Sequence, residues 1–177
     1  NAGISQVYMS DCEADDTIGY LAKHYFKDEN LVIISSDKDY YQLISDNILV
    51  WSPGQKRFID NELVIRKFGI PVHNFCTVRC FCGDGSDGLP GIKGAGFRTM
   101  AKRFPSLLND DFLSVEDILK LSVENEKSSR IKLFKEINQN ANIAQRNWKL
   151  MYLDTKNLSG FQILKLEGLI DSLDPKI

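Results

Sequence analysis

Two carboxylates in a glycine-rich loop are the residues whose types and spacing most directly suggest chemistry. Asp84 and Asp87 are interspersed with Gly83, Gly85 and Gly88, and glycine permits the sharp turns that would aim both side chains in one direction. Carboxylate oxygens aimed together in this way bind hard cations. The loop therefore predicts a site for a divalent metal ion.

The segment after this loop carries the opposite charge and is typical of phosphate binding. Residues 91–96 predict a hairpin whose glycines let the main chain approach a ligand and leave backbone N–H groups directed outward. Residues 97–104 predict a helix whose apolar stripe leaves its basic side chains exposed. An acidic turn followed by an ordinary solvated helix is the alternative interpretation. The candidate nucleic-acid-binding residues are Gly91, Ile92, Lys93, Gly94, Ala95, Gly96, Arg98, Lys102 and Arg103.

A second group of acids stands at the start of a predicted helix. Ser10 is followed by Glu13, Asp15 and Asp16, and the apolar residues after them recur on one helical face. Ser10 and Glu13 fit a capping box, and acids in a first turn favour the helix dipole by about 0.3–1 kcal/mol each. A third acid adds repulsion with little further gain. Capping therefore explains only part of this group.

A third group follows a predicted buried strand. Leu31 to Ile34 is a short, wholly apolar run that favours a parallel strand, and Asp37 and Asp39 come directly after it. Open α/β sheets bind their ligands at the carboxyl ends of such strands. The alternative is that Asp37 caps a helix that begins near Tyr40.

The remaining pattern predicts the elements that position these acids. Strands at 48–51 and 57–59 form a hairpin, a helix at 60–68 ends at Gly69, and another runs from Pro71 through Val78. Further helices are expected at 115–121 and 128–143, separated by a polar loop at 124–130. Residues 148–154 predict a late strand or extended strap, and a final amphipathic helix closes the chain. The order of elements predicts an α/β fold with a mostly parallel sheet.

Composition excludes several classes of protein. The chain has 177 residues and a net charge of −2, so it is no polycation, and any contact with DNA must come from a local patch. Four cysteines without a Cys-x-x-Cys pair and two histidines argue against a zinc module. With no apolar run of membrane-spanning length and no signal peptide, we expect a soluble cytosolic protein without a membrane partner. The chain begins at Asn1 inside a predicted strand that ends near Met9, so we expect an N-terminal portion to precede it.

The acids imply metal-dependent hydrolysis if the fold gathers them. Carboxylates that share one cleft raise one another's pKa, and divalent cations relieve that repulsion. Ligands that are oxygen only favour Mg²⁺, with Mn²⁺ as a possible substitute, and two such ions form the clamp that hydrolyses phosphodiesters. Beside a phosphate-binding hairpin, this predicts a nuclease. It also predicts that Asp84→Asn abolishes hydrolysis while stabilising the metal-free fold, because one repelling charge is removed.

Four motifs together resemble the 5′-nuclease or flap endonuclease family. They are Glu-Ala-Asp-Asp at 13–16, Ser-Ser-Asp-Lys-Asp at 35–39, Gly-Asp-Gly-Ser-Asp at 83–87 and Gly-Ile-Lys-Gly-Ala-Gly at 91–96. The match keeps the family's order and spacing over about residues 6–104. Within the family, the chain is most similar to the ribonuclease H (5′-3′ exonuclease) group of T-even bacteriophages, which removes RNA primers from lagging-strand fragments.

The resemblance implies a PIN-like (Rossmann-like) fold and a two-metal nuclease. Residues 1–70 would be the C-terminal part of the nuclease core, and residues 71–177 a helical region with a helix-three-turn-helix DNA-binding motif at about 75–104. Asp37, Asp39, Asp84 and Asp87 would be catalytic. Two Mg²⁺ ions would be held by Glu13, Asp15, Asp16, Asp37, Asp39, Asp84 and Asp87, directly or through water.

The resemblance also implies partners. The substrate would be duplex DNA with a 5′ single-stranded flap or an RNA–DNA junction, and the hairpin could hold a K⁺ ion on its carbonyls. A single-strand-binding protein or a sliding clamp could act with the enzyme in DNA replication, in the cytoplasm of the host cell if the gene belongs to a phage.

One departure from the family and two alternatives stay open. The family's N-terminal third, with its early metal-binding Asp residues and its arch, has no counterpart here, so we expect this chain alone to hold an incomplete active site. The chain could instead be a duplex-DNA-binding module whose acids serve only as caps and loop formers. It could also be a PIN-like nuclease acting on RNA, although the hairpin at 91–96 argues against that class.

Overall fold

The computed structural model describes residues 4–173 apart from the side chain of residue 155, and the chain forms two compact units. The first unit consists of the residues up to Leu31 together with those from Leu153 onward, and the second runs from Val32 to Tyr152. Short 3₁₀ or π-helical turns connect some elements. In chain order the helices and strands are α1 (Ala14–Tyr20), β1 (Leu31–Ile34), β2 (Ile48–Ser52), β3 (Arg57–Ile59), α2 (Asn61–Phe68), α3 (Val72–Cys82), α4 (Phe97–Arg103), α5 (Val115–Ser128), α6 (Lys132–Gln139), α7 (Ala141–Met151) and α8 (Gly160–Asp171).

In the first unit, α1 is tied to α8 by hydrogen bonds between side chains. The Tyr20 hydroxyl donates to Glu167 Oε1 at 2.6 Å, and this bond to a carboxylate raises the pKa of Tyr20 to about 12. The Tyr25 hydroxyl donates to Asp171 in the same way. Tyr25 follows Tyr20 by five residues and ends a π-helical turn at Leu21–Tyr25, which has a longer repeat than an α-helix. The two hydroxyls can therefore reach two carboxylates that are one turn apart on α8.

In the second unit, the strands form a small mixed sheet in the order β1-β2-β3. Strands β2 and β3 pair antiparallel, with Val50 opposite Ile59 and Trp51 opposite Phe58, which confirms the predicted hairpin. Val50 and Ile59 are almost fully buried, whereas Phe58 is 48% exposed. The sheet therefore packs one face on the core, as the alternating pattern requires.

Helix α3 runs through the middle of the second unit, since nine of its eleven residues are buried. Its buried polar side chains have partners: Asn74 Nδ2 donates to the backbone oxygens of Leu107 and Asp111, and Thr77 Oγ1 donates to that of Leu113. Helices α4 to α7 add Met100, Ile118, Ile137 and Met151 to the same core, and Phe104, just after α4, packs there as well. This packing fixes the carboxyl end of α3, where the acidic loop begins.

Helix α2 begins and ends as the sequence predicts. Asp60 accepts a hydrogen bond from the Leu63 N–H at 2.7 Å as its N-cap, and Gly69 ends the helix with a left-handed φ of 76°.

Some expected elements are wrong. Residues 4–9 form no strand in the part of the chain that the structure describes. The predicted strand or strap at 148–154 is helical as far as Met151, where α7 ends, because Ala144, Asn147 and Met151 are buried at helical spacing. Residues 152–154 follow in neither helix nor strand. Helix α5 continues through most of the predicted polar loop to Ser128, and the helix expected at 128–143 is divided at Asn140 into α6 and α7.

Across residues 4–173, no helix is both long enough and apolar enough to cross a bilayer.

Candidate functional site

The acidic loop after α3 is closed by its own backbone. The N–H and C=O groups of Asp84 and Leu89 exchange two hydrogen bonds of 2.8 Å, which form an antiparallel bridge across the turn. Gly83 and Gly88 adopt positive φ angles of 75° and 67°, which non-glycine residues rarely adopt. The predicted sharp turn is therefore present, with Asp84 at its buried base and Asp87 exposed at its tip.

Gly83 and Gly91 allow two backbone segments to touch. A Cβ atom at Gly91 would lie 1.9 Å from the Cys82 carbonyl oxygen, and one at Gly83 would lie 2.3 Å from the Gly91 nitrogen. Neither position has room for a side chain. These glycines bring the acidic loop and the hairpin together rather than opening space for a ligand.

A buried arginine, Arg79 on α3, joins two of the predicted metal ligands. Its Nη1 lies 2.8 Å from Asp39 Oδ1, and its Nη2 forms an ion pair with Asp84 Oδ2. The three side chains are 5%, 14% and 9% exposed, so water screens these pairs little. Sequence reasoning missed Arg79, although a charged residue inside the apolar run of α3 was a usable signal, because buried arginines are nearly always paired.

The charges around Asp84 favour its ionised form. Burial by itself would raise the pKa of Asp84. Two hydrogen bonds outweigh it, one from the Ser86 hydroxyl and one from the Ser86 N–H, and the ion pair with Arg79 adds to them. Together they lower the pKa of Asp84 to about 2. Burial alone would lower the pKa of Arg79, yet Asp39, Asp84 and Asp37 together raise it above its ordinary value. The base of the loop is therefore a network of ionised side chains.

Asp37 and Asp39 lie just beyond the carboxyl end of β1, as the sequence predicts. The prediction that this strand is buried is wrong, because Val32 and Ile34 are 52% and 70% exposed and Ile33 is its buried residue. The Asp39 N–H donates to Asp37 Oδ1 at 2.9 Å, and the Asp37 N–H donates to Ser35 Oγ at 3.1 Å. Carboxylate oxygens of the two acids come within 4.8 Å of each other. The alternative that Asp37 caps the following helix is wrong, because Lys38 is the N-cap of the 3₁₀ turn at Asp39–Leu43 and its side chain makes no capping bond.

Glu13, Asp15 and Asp16 belong to the first unit, at the amino end of α1. The predicted capping box with Ser10 does not form, since Glu13 is itself the N-cap and makes no side-chain capping bond. Asp16 Oδ1 instead accepts a hydrogen bond of 2.8 Å from Asn157 Nδ2. The crowding of acids at this helix start is thus not explained by capping.

The basic hairpin, residues 91–96, is held in place by backbone hydrogen bonds and by two buried side chains. The Ile92 N–H donates to the Phe81 oxygen at 2.8 Å, the Ala95 N–H donates to the Ile92 oxygen at 3.0 Å, and Gly94 has a φ of 86°. Ile92 and Ala95 are buried, which leaves Lys93 exposed at the tip. Buried Asn147 also bonds the oxygens of Cys80 and Pro90, at 2.9 Å each.

Helix α4 presents its basic side chains as predicted. Arg98 and Lys102 are exposed and Arg103 is half-buried, while Met100 is fully buried on the opposite face. Lys93 at the hairpin tip and these three residues can contact phosphates without any of them entering the core.

The donor set of the second unit matches a hard divalent cation, because Asp37, Asp39 and Asp84 offer oxygen ligands only. The neighbouring thiols are enclosed by protein. Burial raises the pKa of Cys82 to about 12, and the pKa of Cys80 is raised first by its hydrogen bond with Cys76 and then by burial.

Comparisons with known proteins match this chain to 5′-3′ exonucleases. A family model described as "5′-3′ exonuclease, N-terminal resolvase-like domain" matches residues 1–69. A 5′-3′ exonuclease of Buchnera aphidicola (subsp. Schizaphis graminum) is 36% identical over 135 residues, which cover 74% of this chain and 47% of the relative. A 5′-3′ exonuclease of Aquifex aeolicus is 38% identical over 120 residues, covering 67% of this chain and 40% of the relative. The chain thus spans less than half the length of these curated relatives.

Solved structures share the fold. A bacteriophage T5 5′-exonuclease with bound zinc superposes with a TM-score of 0.74 at 20% identity, covering 94% of this chain and 62% of that one. A T5 flap endonuclease complex with DNA and metal ions superposes with a TM-score of 0.75 at 19% identity, covering 94% and 61%. At this identity the likeness establishes the fold alone.

Proposed function

Because this chain belongs to the 5′-3′ exonuclease and flap endonuclease family, we propose that it acts in a structure-specific 5′-nuclease that hydrolyses phosphodiesters with divalent metal ions. The observation that carries the proposal is the charged network at the base of the acidic loop, with Asp39 and Asp84 joined through Arg79. Next to it in the chain, the basic hairpin and α4 provide cations for a duplex backbone. Metal ligands and phosphate contacts thus occur in one segment.

The proposed metal ligands keep the family's order along the chain. Asp37, Asp39, Asp84 and Asp87 of the second unit would hold Mg²⁺ or Mn²⁺, and their oxygen-only chemistry fits these ions. Glu13, Asp15 and Asp16 are proposed as further ligands on motif order alone. When bound, such ions supply an activated water and stabilise the leaving oxygen.

The residues of this chain have separate tasks in the proposed reaction. The closed loop at 84–89 and the turn at Asp37 would fix the backbone from which the ligand carboxylates extend. Lys93, Arg98, Lys102 and Arg103 would bind backbone phosphates without reading base sequence. The hairpin main chain, fixed from behind by Phe81 and Asn147, would set the register of the duplex.

The finer predictions belong to the same proposal. We propose that residues 1–70 form part of a PIN-like core, that residues 71–177 contain a helix-three-turn-helix motif at about 75–104, and that the hairpin carbonyls can hold K⁺. The proposed substrates are duplexes with a 5′ flap or an RNA–DNA junction. The T5 flap endonuclease complex with DNA and metal ions supports this class of substrate through its shared fold.

The test is cleavage of a labelled 5′-flap duplex by the intact gene product in Mg²⁺, Mn²⁺ or EDTA. We expect cutting in either metal, none in EDTA, and a loss of at least about 10²-fold in kcat for Asp87→Asn, whose exposed carboxylate lies outside the ion-pair network. Asp110→Asn, an exposed acid outside the motifs, is the matched control. Duplex binding without cleavage in any metal would favour a binding module, and cleavage of RNA alone would favour the RNA nuclease.

A further inference from the structure

Arg79 is a cation already present among carboxylates that the proposed function assigns to metal ions. It extends from α3 with Nη1 toward Asp39 and Nη2 toward Asp84, so one guanidinium joins residues that are 45 positions apart in sequence. Asp37 also contributes to the electrostatic stabilisation of this cation. No comparison with known proteins assigns it a role.

Arg79 is too deeply buried to contact a nucleic acid. Its side chain is 5% exposed, and it lies in a helix whose neighbouring residues Val78 and Cys80 are fully buried. In this structure a phosphate therefore has almost no access to the guanidinium. Whatever Arg79 does for the reaction must act through the carboxylates that it touches.

We propose that Arg79 is a built-in counter-ion that holds Asp39 and Asp84 close together before metal binds, and that it limits the affinity of this site for divalent cations. It is a positioning residue, not a catalytic one. The inference rests on the proposed function, because it concerns the same metal ligands.

The physical reason is that two cations share one set of negative charges. The guanidinium forms a hydrogen bond with Asp84 through Nη2 and an ion pair with Asp39 through Nη1, so one positive charge lies between the two negative ones. The same positive charge repels an incoming divalent ion at close range and weakens its binding. Arg79 therefore makes the metal-free fold stable, and a site that binds metal less tightly can also release it.

The experiment compares Arg79→Met, Arg79→Lys and the control Arg66→Met, which removes an exposed charge from α2. Mn²⁺ binding is measured by the loss of the free-ion signal in electron paramagnetic resonance, without DNA. Methionine keeps much of the length and apolar packing of the side chain, while lysine keeps its charge. The melting temperature of each variant is measured in EDTA and in saturating Mg²⁺.

We expect Arg79→Met to bind Mn²⁺ about tenfold more tightly, since even a water-like dielectric makes a neighbouring unit charge worth roughly that factor. It should melt lower than wild type in EDTA and regain most of the difference in Mg²⁺, because the added cation replaces the lost one. Arg79→Lys should bind Mn²⁺ within about twofold of wild type, and Arg66→Met should change neither measurement.

A purely structural role gives the opposite result. If Arg79 only packed the helix, Arg79→Met would disorder the acids, weaken Mn²⁺ binding and lose stability equally with and without Mg²⁺, which would overturn the inference. If Arg79→Met is unfolded even in Mg²⁺, Arg79→Lys decides, and a tenfold change in its Mn²⁺ affinity in either direction would overturn it. A wild-type protein that binds no Mn²⁺ would refute the proposed function itself.

Discussion

Replacement of Asp84 by asparagine should destabilise the metal-free protein. Asp84 is 9% exposed and accepts hydrogen bonds from Ser86 while it pairs with Arg79. Its pKa falls from 3.8 to about 2 in the folded chain, and lowering a pKa by one corresponds to about 1.4 kcal/mol. The ionised carboxylate therefore contributes roughly 2 kcal/mol of folding free energy at pH 7, and asparagine cannot replace that charge.

The pH dependence has a definite sign. Because folding lowers the pKa of Asp84, its contribution is complete above the unfolded value near 4 and disappears as pH falls through the folded value near 2. The difference in unfolding free energy between wild type and Asp84→Asn should be about half as large at pH 3 as at pH 7. Below pH 2 the two proteins should unfold with nearly equal free energies.

Urea unfolding in EDTA, followed by circular dichroism, measures this difference. With a typical dependence on urea for a domain of this size, the midpoint of Asp84→Asn should fall by ~1 M at pH 7. Asp87→Asn, an exposed acid in the same loop, is the matched control and should leave the midpoint nearly unchanged. An Asp84→Asn protein as stable as wild type in EDTA at pH 7 would refute the reasoning, because it would mean that repulsion among the acids outweighs the Arg79 pair.

Two further predictions concern the hairpin. Gly91→Ala should lower the free energy of unfolding in urea by about 3 kcal/mol or more, because its Cβ would lie 1.9 Å from the Cys82 oxygen. Gly85→Ala is the control, since a Cβ there meets open space and should change the stability little. Equal urea midpoints for the two variants would contradict the packing of the acidic loop on the hairpin. Lys93→Ala should weaken duplex binding equally on all sequences and reduce the slope of log K against log salt concentration by about 0.9. Fluorescence anisotropy measures both quantities, with Lys120→Ala on α5 as the control. An unchanged slope would show that the hairpin tip makes no phosphate contact.

Local sequence was enough to identify the main parts of the candidate site. Glycines around Asp84 predicted a sharp turn, the apolar run at 31–34 predicted a strand that ends before Asp37, and the spacing of Met100 and Phe104 predicted α4 with its basic face outward. Each of these signals depends only on neighbours within a few residues. The expected strap at 148–154 failed because an apolar, aromatic segment suits a strand and a buried helix face equally well, and only packing against the core separates them.

The sequence by itself determined which residue types could bind metal and phosphate, but the tertiary structure decided how their charges balance. From the sequence, Asp39 and Asp84 are two acids that would repel each other in one cleft. That interpretation predicts that removing one charge stabilises the metal-free fold. The structure places the buried guanidinium of Arg79 between them, so the same removal is expected to destabilise it. The sign depends on which charges lie within a few Å in a poorly screened interior, and the spacing of residues along the chain does not contain that information.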